Sequence, residues 1–175
     1  MRLFIAIRPS EEFALALHDL QDRLHLAGVN GRFIEASDLH ITLAFIGEWP
    51  ENISEILPPV KKPFRITLSQ LSVFPDKGVL CARVKPCDAL DNTAKSVRHA
   101  LAEAGIPFDK KAFFPHITLV RSLSLPKHTD LSQIKVPPAA MTVREITLYR
   151  SDRGKSGMVY TEIGSSVQIA MQNIL

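Results

Sequence analysis

Long apolar runs are missing from this chain of 175 residues. No window approaches the roughly 18 unbroken apolar residues that a membrane-crossing helix needs, so no membrane contact is expected. Cysteine is scarce: Cys81 and Cys87 are the two present. One possible bridge makes no disulfide framework, their spacing fits no metal knuckle, and both read as free thiols. The opening residues lack the basic stretch, apolar stretch and cleavage site of a secretory leader. With the free thiols, this makes the cytoplasm the expected compartment. No glycine-rich loop is present to cradle a phosphate, and no strand-turn-helix elbow supports a Ser-His-Asp triad. Charge bias is weak. Lys and Arg number 21 against 18 Asp and Glu, a net charge of +3 with a pI near 9.0. That leans mildly toward a phosphate-bearing ligand, but many proteins without one share it.

What is present fits one compact domain over residues 1–175, apolar in 46% of its positions and charged in 22%. A chain of this length buries roughly two thirds of its surface on folding.

One tetrapeptide occurs twice, as His40-Ile41-Thr42-Leu43 and His116-Ile117-Thr118-Leu119. Ala44, Phe45 and Ile46 follow the first copy; Phe113 and Phe114 precede the second and Val120 follows it. These residue types favour strands, and a strand alternates its side chains. His40 and Thr42 then share one face, with Ile41, Leu43 and Phe45 behind; His116 and Thr118 stand likewise opposite Ile117 and Leu119. The repeat is longer than the motif. Pro9 lies 19 residues before Gly28, and Pro86 lies 19 before Gly105. A strand-like run precedes each proline: Leu3–Ile7 and Val79–Val84. Glu145–Tyr149 resembles Gln70–Phe74 at an offset of 75, a third element per half. The approximate duplicated units are residues 2–74 and 79–163. A pseudo-twofold axis between them would set His40 and His116 face to face across a groove.

Apolar stripes at helical spacing predict two helices. Phe13, Leu17, Leu20, Leu24 and Ala27 mark the first, with Ser10 as N-cap and Gly28 as stop. Leu90, Ala94, Val97, Leu101 and Ala104 mark the second, over about 88–104. His18, His25 and His99 fall off these stripes and read as surface. Strands are expected at 2–7, 39–46 (ended by Gly47), 64–74, 79–85, 141–150 and 158–163, with a short helix around Ile53–Leu57. The Pro75–Gly78 turn makes a hairpin of 64–74 and 79–85. Residues 122–140, which carry His128, read as irregular. Few helices among many hairpin-linked strands give an α+β class. Trp49, near the end of the first motif strand, reads as packing rather than as a base stacker.

Histidine titrates near neutrality, so two can divide proton transfers, one accepting from a nucleophile and one donating to a leaving oxygen. The hydroxyl at i+2 points into the same space and can donate to a non-bridging phosphate oxygen. Two copies suit in-line displacement at phosphorus without a metal or another cofactor. A metal site is the competing use, but no Asp, Glu or Cys falls on the His40 or His116 face to complete a ligand set.

At these residues the chain resembles the 2H phosphoesterase superfamily, and within it the RNA 2′,3′-cyclic phosphodiesterase (2′-5′ RNA ligase) family. The likeness spans nearly the whole chain: Arg2–Ile7, His40–Gly47, Pro115–Leu119 with Arg121, Leu148-Tyr149 with Ser151, then Gly157 and Tyr160. It implies two pseudo-symmetric lobes, each an antiparallel sheet with helices on its outer face, and an active-site cleft between the sheets. It implies opening of 2′,3′-cyclic phosphate ends on RNA to a 2′-phosphate, with His40 as proton donor and His116 as proton acceptor. Thr42 and Thr118 would hold phosphate oxygens. Arg121 would join them only if the strand twists or ends by Val120, since regular alternation turns it away. Phe45, Phe114 and Tyr149 are candidates for the substrate rim, and Lys110, Lys111, Arg121, Lys127, Arg150 and Arg153 for an RNA path. The expected partners are RNA or tRNA fragments with cyclic phosphate ends, and nucleotides; no obligate protein partner is expected. Three alternatives stay open: 2′-5′ ligation by the reverse reaction, hydrolysis of small cyclic nucleotides, and an RNA-binding module without turnover.

Overall fold

A computed structural model describes residues 1–166. Eleven elements follow in chain order: β1 Arg2–Ile7, α1 Glu11–Leu26, β2 Asn30–Phe33, β3 Ile41–Glu48, β4 Phe64–Phe74, β5 Val79–Val84, α2 Asp88–Glu103, β6 His116–Ser124, β7 Ala140–Val143, β8 Thr147–Arg153 and β9 Met158–Ser165. The fold is α+β. Its sheet runs β7-β4-β5-β6-β3-β1-β8-β9, antiparallel at each pairing, with β2 also paired to β6.

The two helices form where the stripes place them. The Ser10 side chain accepts from the Phe13 N–H at 3.3 Å, capping α1. Gly28 (φ 85°) and Gly105 (φ 69°) end the helices in the left-handed region. The next residue then bonds back five positions, Val29 to Leu24 and Ile106 to Leu101. Phe13, Leu17, Leu20 and Leu24 of α1 join Leu90, Ala94, Val97 and Leu101 of α2 in one core. That core also holds Ile41, Leu43, Ile117 and Leu119 from the backs of the motif strands. Both described helices have 16 residues, and neither is long and apolar enough to cross a membrane.

The halves meet at one pairing, Ile41 opposite Ile117, the same position of each motif. The flanking order is β3-β1-β8 on one side and β6-β5-β4 on the other. Each half thus takes its third strand from the other sequence unit: β4 pairs with β5, and β8 with β1. The single strand expected over 141–150 is two strands for this reason. β7 pairs with β4 and β8 with β1, so residues 144–146 cross from one half to the other.

Three smaller expectations also change. The helix around Ile53–Leu57 is one 3-10 turn, Ser54–Ile56, cut short by Pro58-Pro59. Gly47 (φ 82°) does not end β3, which runs on to Glu48. Trp49 packs on the core and lines neither of the cavities described below.

Candidate active site

The two motif strands are not regular, and the irregularity builds the site. Along β1 and β3, Ala6 opposes Thr42 and Ile5 opposes Ala44, so Leu43 is an extra residue. Along β5 and β6, Cys81 opposes Thr118 and Leu80 opposes Val120, so Leu119 is extra. Each is a β-bulge, one residue past the motif threonine. Leu43-Ala44 and Leu119-Val120 are consecutive buried pairs, which alternation alone forbids. The phase resets after each pair. Phe45 and Arg121 therefore turn forward, onto the face of the histidines and threonines.

This meets the condition set for Arg121 and corrects the face expected for Phe45. Arg121 does not stand behind His116; it lines the cleft with Thr118. Phe45 leaves the apolar back, is 36% exposed, and lines the cleft with Thr42 and Phe114. The same registers make Phe4 the counterpart of Val79, and Tyr149 the counterpart of Phe74.

His40 and His116 are held alike. The His40 Nδ1–H donates to the Asp38 carbonyl at 2.7 Å, and the His116 Nδ1–H to the Phe114 carbonyl at 2.6 Å. Each bond runs to residue i−2 and fixes the tautomer, leaving Nε2 as the nitrogen available to the cavity.

Their surroundings differ. The His40 ring lies 4.9 Å from Phe4 and stands edge-on to Tyr160 at 5.4 Å, with Tyr149 at 6.5 Å. This aromatic enclosure takes the imidazole out of water and lowers its pKa from 6.5 to about 4. The charges of Arg121 and His116 push the same way, against the bond to Asp38. His116 is also lowered, first by burial, then by the cations Arg83, Lys77 and Arg121, with the Phe114 carbonyl opposing. Phe74 stands 5.4 Å from the His116 ring. Arg83 lies opposite His116 in β5, with its guanidinium 3.3 Å from the Phe114 ring centre and its Nε–H donating to the Pro115 carbonyl at 3.3 Å.

Two cavities flank the pair and share Thr118 and Arg121. One, of about 230 Å³, holds His40 with Arg32, Ser156 and Tyr160. The other, of about 280 Å³, holds His116 and Thr42 with Phe45, Phe74, Phe114 and Lys77. The sequence candidates His40, Thr42, Phe45, Phe114, His116, Thr118 and Arg121 thus line two adjoining cavities that share Thr118 and Arg121. Tyr149 does not reach the rim. It is 8% exposed, stacked on Phe4 at 5.1 Å behind the His40 ring, and Tyr160 takes the edge position instead. Lys111 lines the second cavity, whereas Lys110, Lys127, Arg150 and Arg153 line neither. Lys110 lies 3.8 Å from the Phe108 ring centre, and Arg150 pairs with Asp152 at 2.7 Å.

Arg32, Phe74, Lys77 and Arg83 were not picked out as site residues from sequence. For Phe74 a signal exists: it is the duplication partner of Tyr149, itself a rim candidate. Among the described residues, no three of His, Cys, Asp and Glu group as metal ligands would.

Paired imidazoles beside hydroxyls and a guanidinium can exchange protons at a phosphate while neutralising its oxygens. Comparison with known proteins gives the same frame. The chain is 28% identical to RNA 2′,3′-cyclic phosphodiesterase of Thermotoga maritima, over 91% of either chain. It is 30% identical to the protein of that name from Archaeoglobus fulgidus, over 93% of this chain and 98% of the other. The crystal structure of Escherichia coli LigT in its apo form superposes with a TM-score of 0.76 at 26% identity, covering 94% of this chain and 95% of that one. LigT has also been solved in complex with 3′-AMP, with a TM-score of 0.73 at the same identity and coverage. The sequence model of the 2′-5′ RNA ligase superfamily matches residues 9–155, and the chain belongs to that family.

Proposed function

We propose that His40 and His116 divide the two proton transfers of in-line displacement at a 2′,3′-cyclic phosphate. The protein is an RNA 2′,3′-cyclic phosphodiesterase that leaves a 2′-phosphomonoester, in keeping with its relatives. The observation that carries the two-histidine reading is the matched Nδ1 bond. Both rings are tied through Nδ1 to the carbonyl of residue i−2, which leaves Nε2 for the adjoining cavities they line.

In this reading neutral His116 takes the proton from a water attacking phosphorus, and His40 gives one to the departing 3′-oxygen. The three cations around His116 favour its neutral form, as an acceptor requires. His40 is neutral in the free protein. An anionic phosphate in the cleft supplies the opposite charge that favours imidazolium, so His40 is protonated as substrate binds. Thr42, Thr118 and Arg121 contact the equatorial oxygens, where charge accumulates. Phe45 and Phe114 offer faces on which a base can stack. The cellular substrates are RNA or tRNA fragments ending in a cyclic phosphate.

The test is hydrolysis of an RNA oligomer ending in 2′,3′-cyclic phosphate, with chelator present and the product identified. Turnover to the 2′-phosphate is expected. His40→Ala and His116→Ala are expected to remove nearly all of it in folded protein. Wild-type rates in either variant reject the shared roles, and chelator-sensitive turnover rejects metal independence.

A further inference from the structure

We infer that Gln21 and Arg98 are a matched pair of positioning residues. Each grips the carbonyl of the extra leucine in one motif strand, and so sets the turn that aims Arg121 or Phe45 into the cleft. Gln21 lies 12 residues after Pro9, and Arg98 lies 12 after Pro86, so they are the same position of the duplicated helix. Both reach the same position of the duplicated strand, but in the opposite copy. Gln21 of α1 donates through Nε2 to Leu119 O at 3.1 Å and to Ile34 O at 2.8 Å. Arg98 of α2 donates through Nε to Leu43 O at 3.2 Å and through a terminal nitrogen to Lys111 O at 2.8 Å.

Packing alone does not account for these choices. Gln21 is 6% exposed among Leu17, Leu20 and Leu24, where an apolar side chain would avoid burying an amide. What the amide supplies is a donor for the Leu119 carbonyl, which also accepts from the Ile34 N–H at 2.9 Å. A bulge residue falls outside the regular ladder, so its backbone orientation depends on such outside partners. Two residues downstream of each gripped carbonyl stands the side chain that the bulge turns forward: Arg121 after Leu119, Phe45 after Leu43.

The inference rests on the reading that Arg121 and Phe45 touch substrate. The test is a set of double-mutant cycles on the full chain with cyclic-phosphate RNA, circular dichroism reporting the fold. Gln21→Met and Arg98→Met keep bulk and remove the donors. Each is expected to lower kcat/KM about tenfold, well within what an ångström of misplacement costs. The expected coupling is crossed. Gln21→Met costs little more once Arg121→Ala is present, yet keeps its full cost beside Phe45→Ala. Arg98→Met shows the mirror pattern. Equal costs in every background overturn the inference and leave both residues as ordinary packing. If Arg121→Ala alone leaves the rate unchanged, the substrate reading of Arg121 fails instead. The ¹⁵Nε resonance of Arg121 then decides the positioning: a shift in Gln21→Met and none in Arg98→Met sustains it, and no shift in either sinks it.

Discussion

The enclosure of His40 has a thermodynamic cost that pH exposes. Phe4, Tyr149 and Tyr160 surround the ring and lower its pKa from 6.5 to about 4. Between those values the unfolded chain binds a proton at this position and the folded one does not, so stability falls as pH falls. At about 1.4 kcal/mol per pH unit, the full displacement is worth roughly 3 kcal/mol. That contribution is present above pH 6.5, declines through the window and is gone near pH 4. His40→Asn keeps a donor for the Asp38 carbonyl but cannot titrate. The measurement is urea unfolding of both proteins at steps between pH 7 and pH 4. The wild type is expected to lose roughly 3 kcal/mol more than the variant across that range. Groups that do not couple to His40 contribute equally to both and cancel. Inorganic phosphate should shrink the difference, because an anion in the cleft favours imidazolium. Parallel loss in the two proteins would show that burial does not govern this histidine.

Further outcomes follow from the cleft. Thr42→Ala and Thr118→Ala should each lower kcat by about ten- to a thousandfold, the range for one transition-state donor, and unchanged rates in both remove them from the phosphate. Arg121→Ala should cost about a hundred- to a thousandfold on the same scale, with Arg121→Lys recovering part of it, because lysine keeps the charge but not the planar fork. A fragment ending at Gly78 should not fold alone, since β1 then lacks β8 and β4 lacks β5. Cooperative urea unfolding of that fragment would contradict the exchange of third strands.

Much of this architecture was legible because duplication repeats its signals. The helices came from apolar stripes closed by glycine, and the motif histidines from their recurrence within divergent surroundings. What stayed hidden lies where period-two reasoning breaks. A bulge adds one residue without a signature in residue type: Leu43-Ala44 and Leu119-Val120 read as ordinary strand. Yet the bulges alone bring Phe45 and Arg121 forward. The prolines also misled the alignment of β1 with β5. Pro9 and Pro86 match at an offset of 77, whereas the pairing registers match Ala6 with Cys81 and Ile7 with Ala82, an offset of 75. The slip concealed Val79 as the counterpart of Phe4 beside the other histidine. A signal for Gln21 existed: it is a polar residue inside an apolar stripe, and such a residue needs a buried partner.

Near-symmetric halves pose a problem for acid-base chemistry, which needs two unlike groups. The backbone does not separate them, since both rings carry the same Nδ1 bond and both strands the same bulge. The difference arises in the side chains placed at equivalent points. Phe4 walls the His40 ring where Val79 stands in the other half. Arg121 and Phe45 are a charge and an aromatic face at one duplicated position. Arg8 and Arg83 continue their strands equivalently, but Arg8 is paired with Glu162 at 3.1 Å, whereas Arg83 stacks on Phe114 and acts on His116. Burial lowers both histidines first, and the aromatic wall makes it the stronger influence on His40. Arg121 acts on both rings, and Arg83 and Lys77 act on His116 in addition. Duplication supplied two histidines held by the same bond, and divergence at a few cleft positions supplied the unlike surroundings that the proposed division of acid and base roles requires.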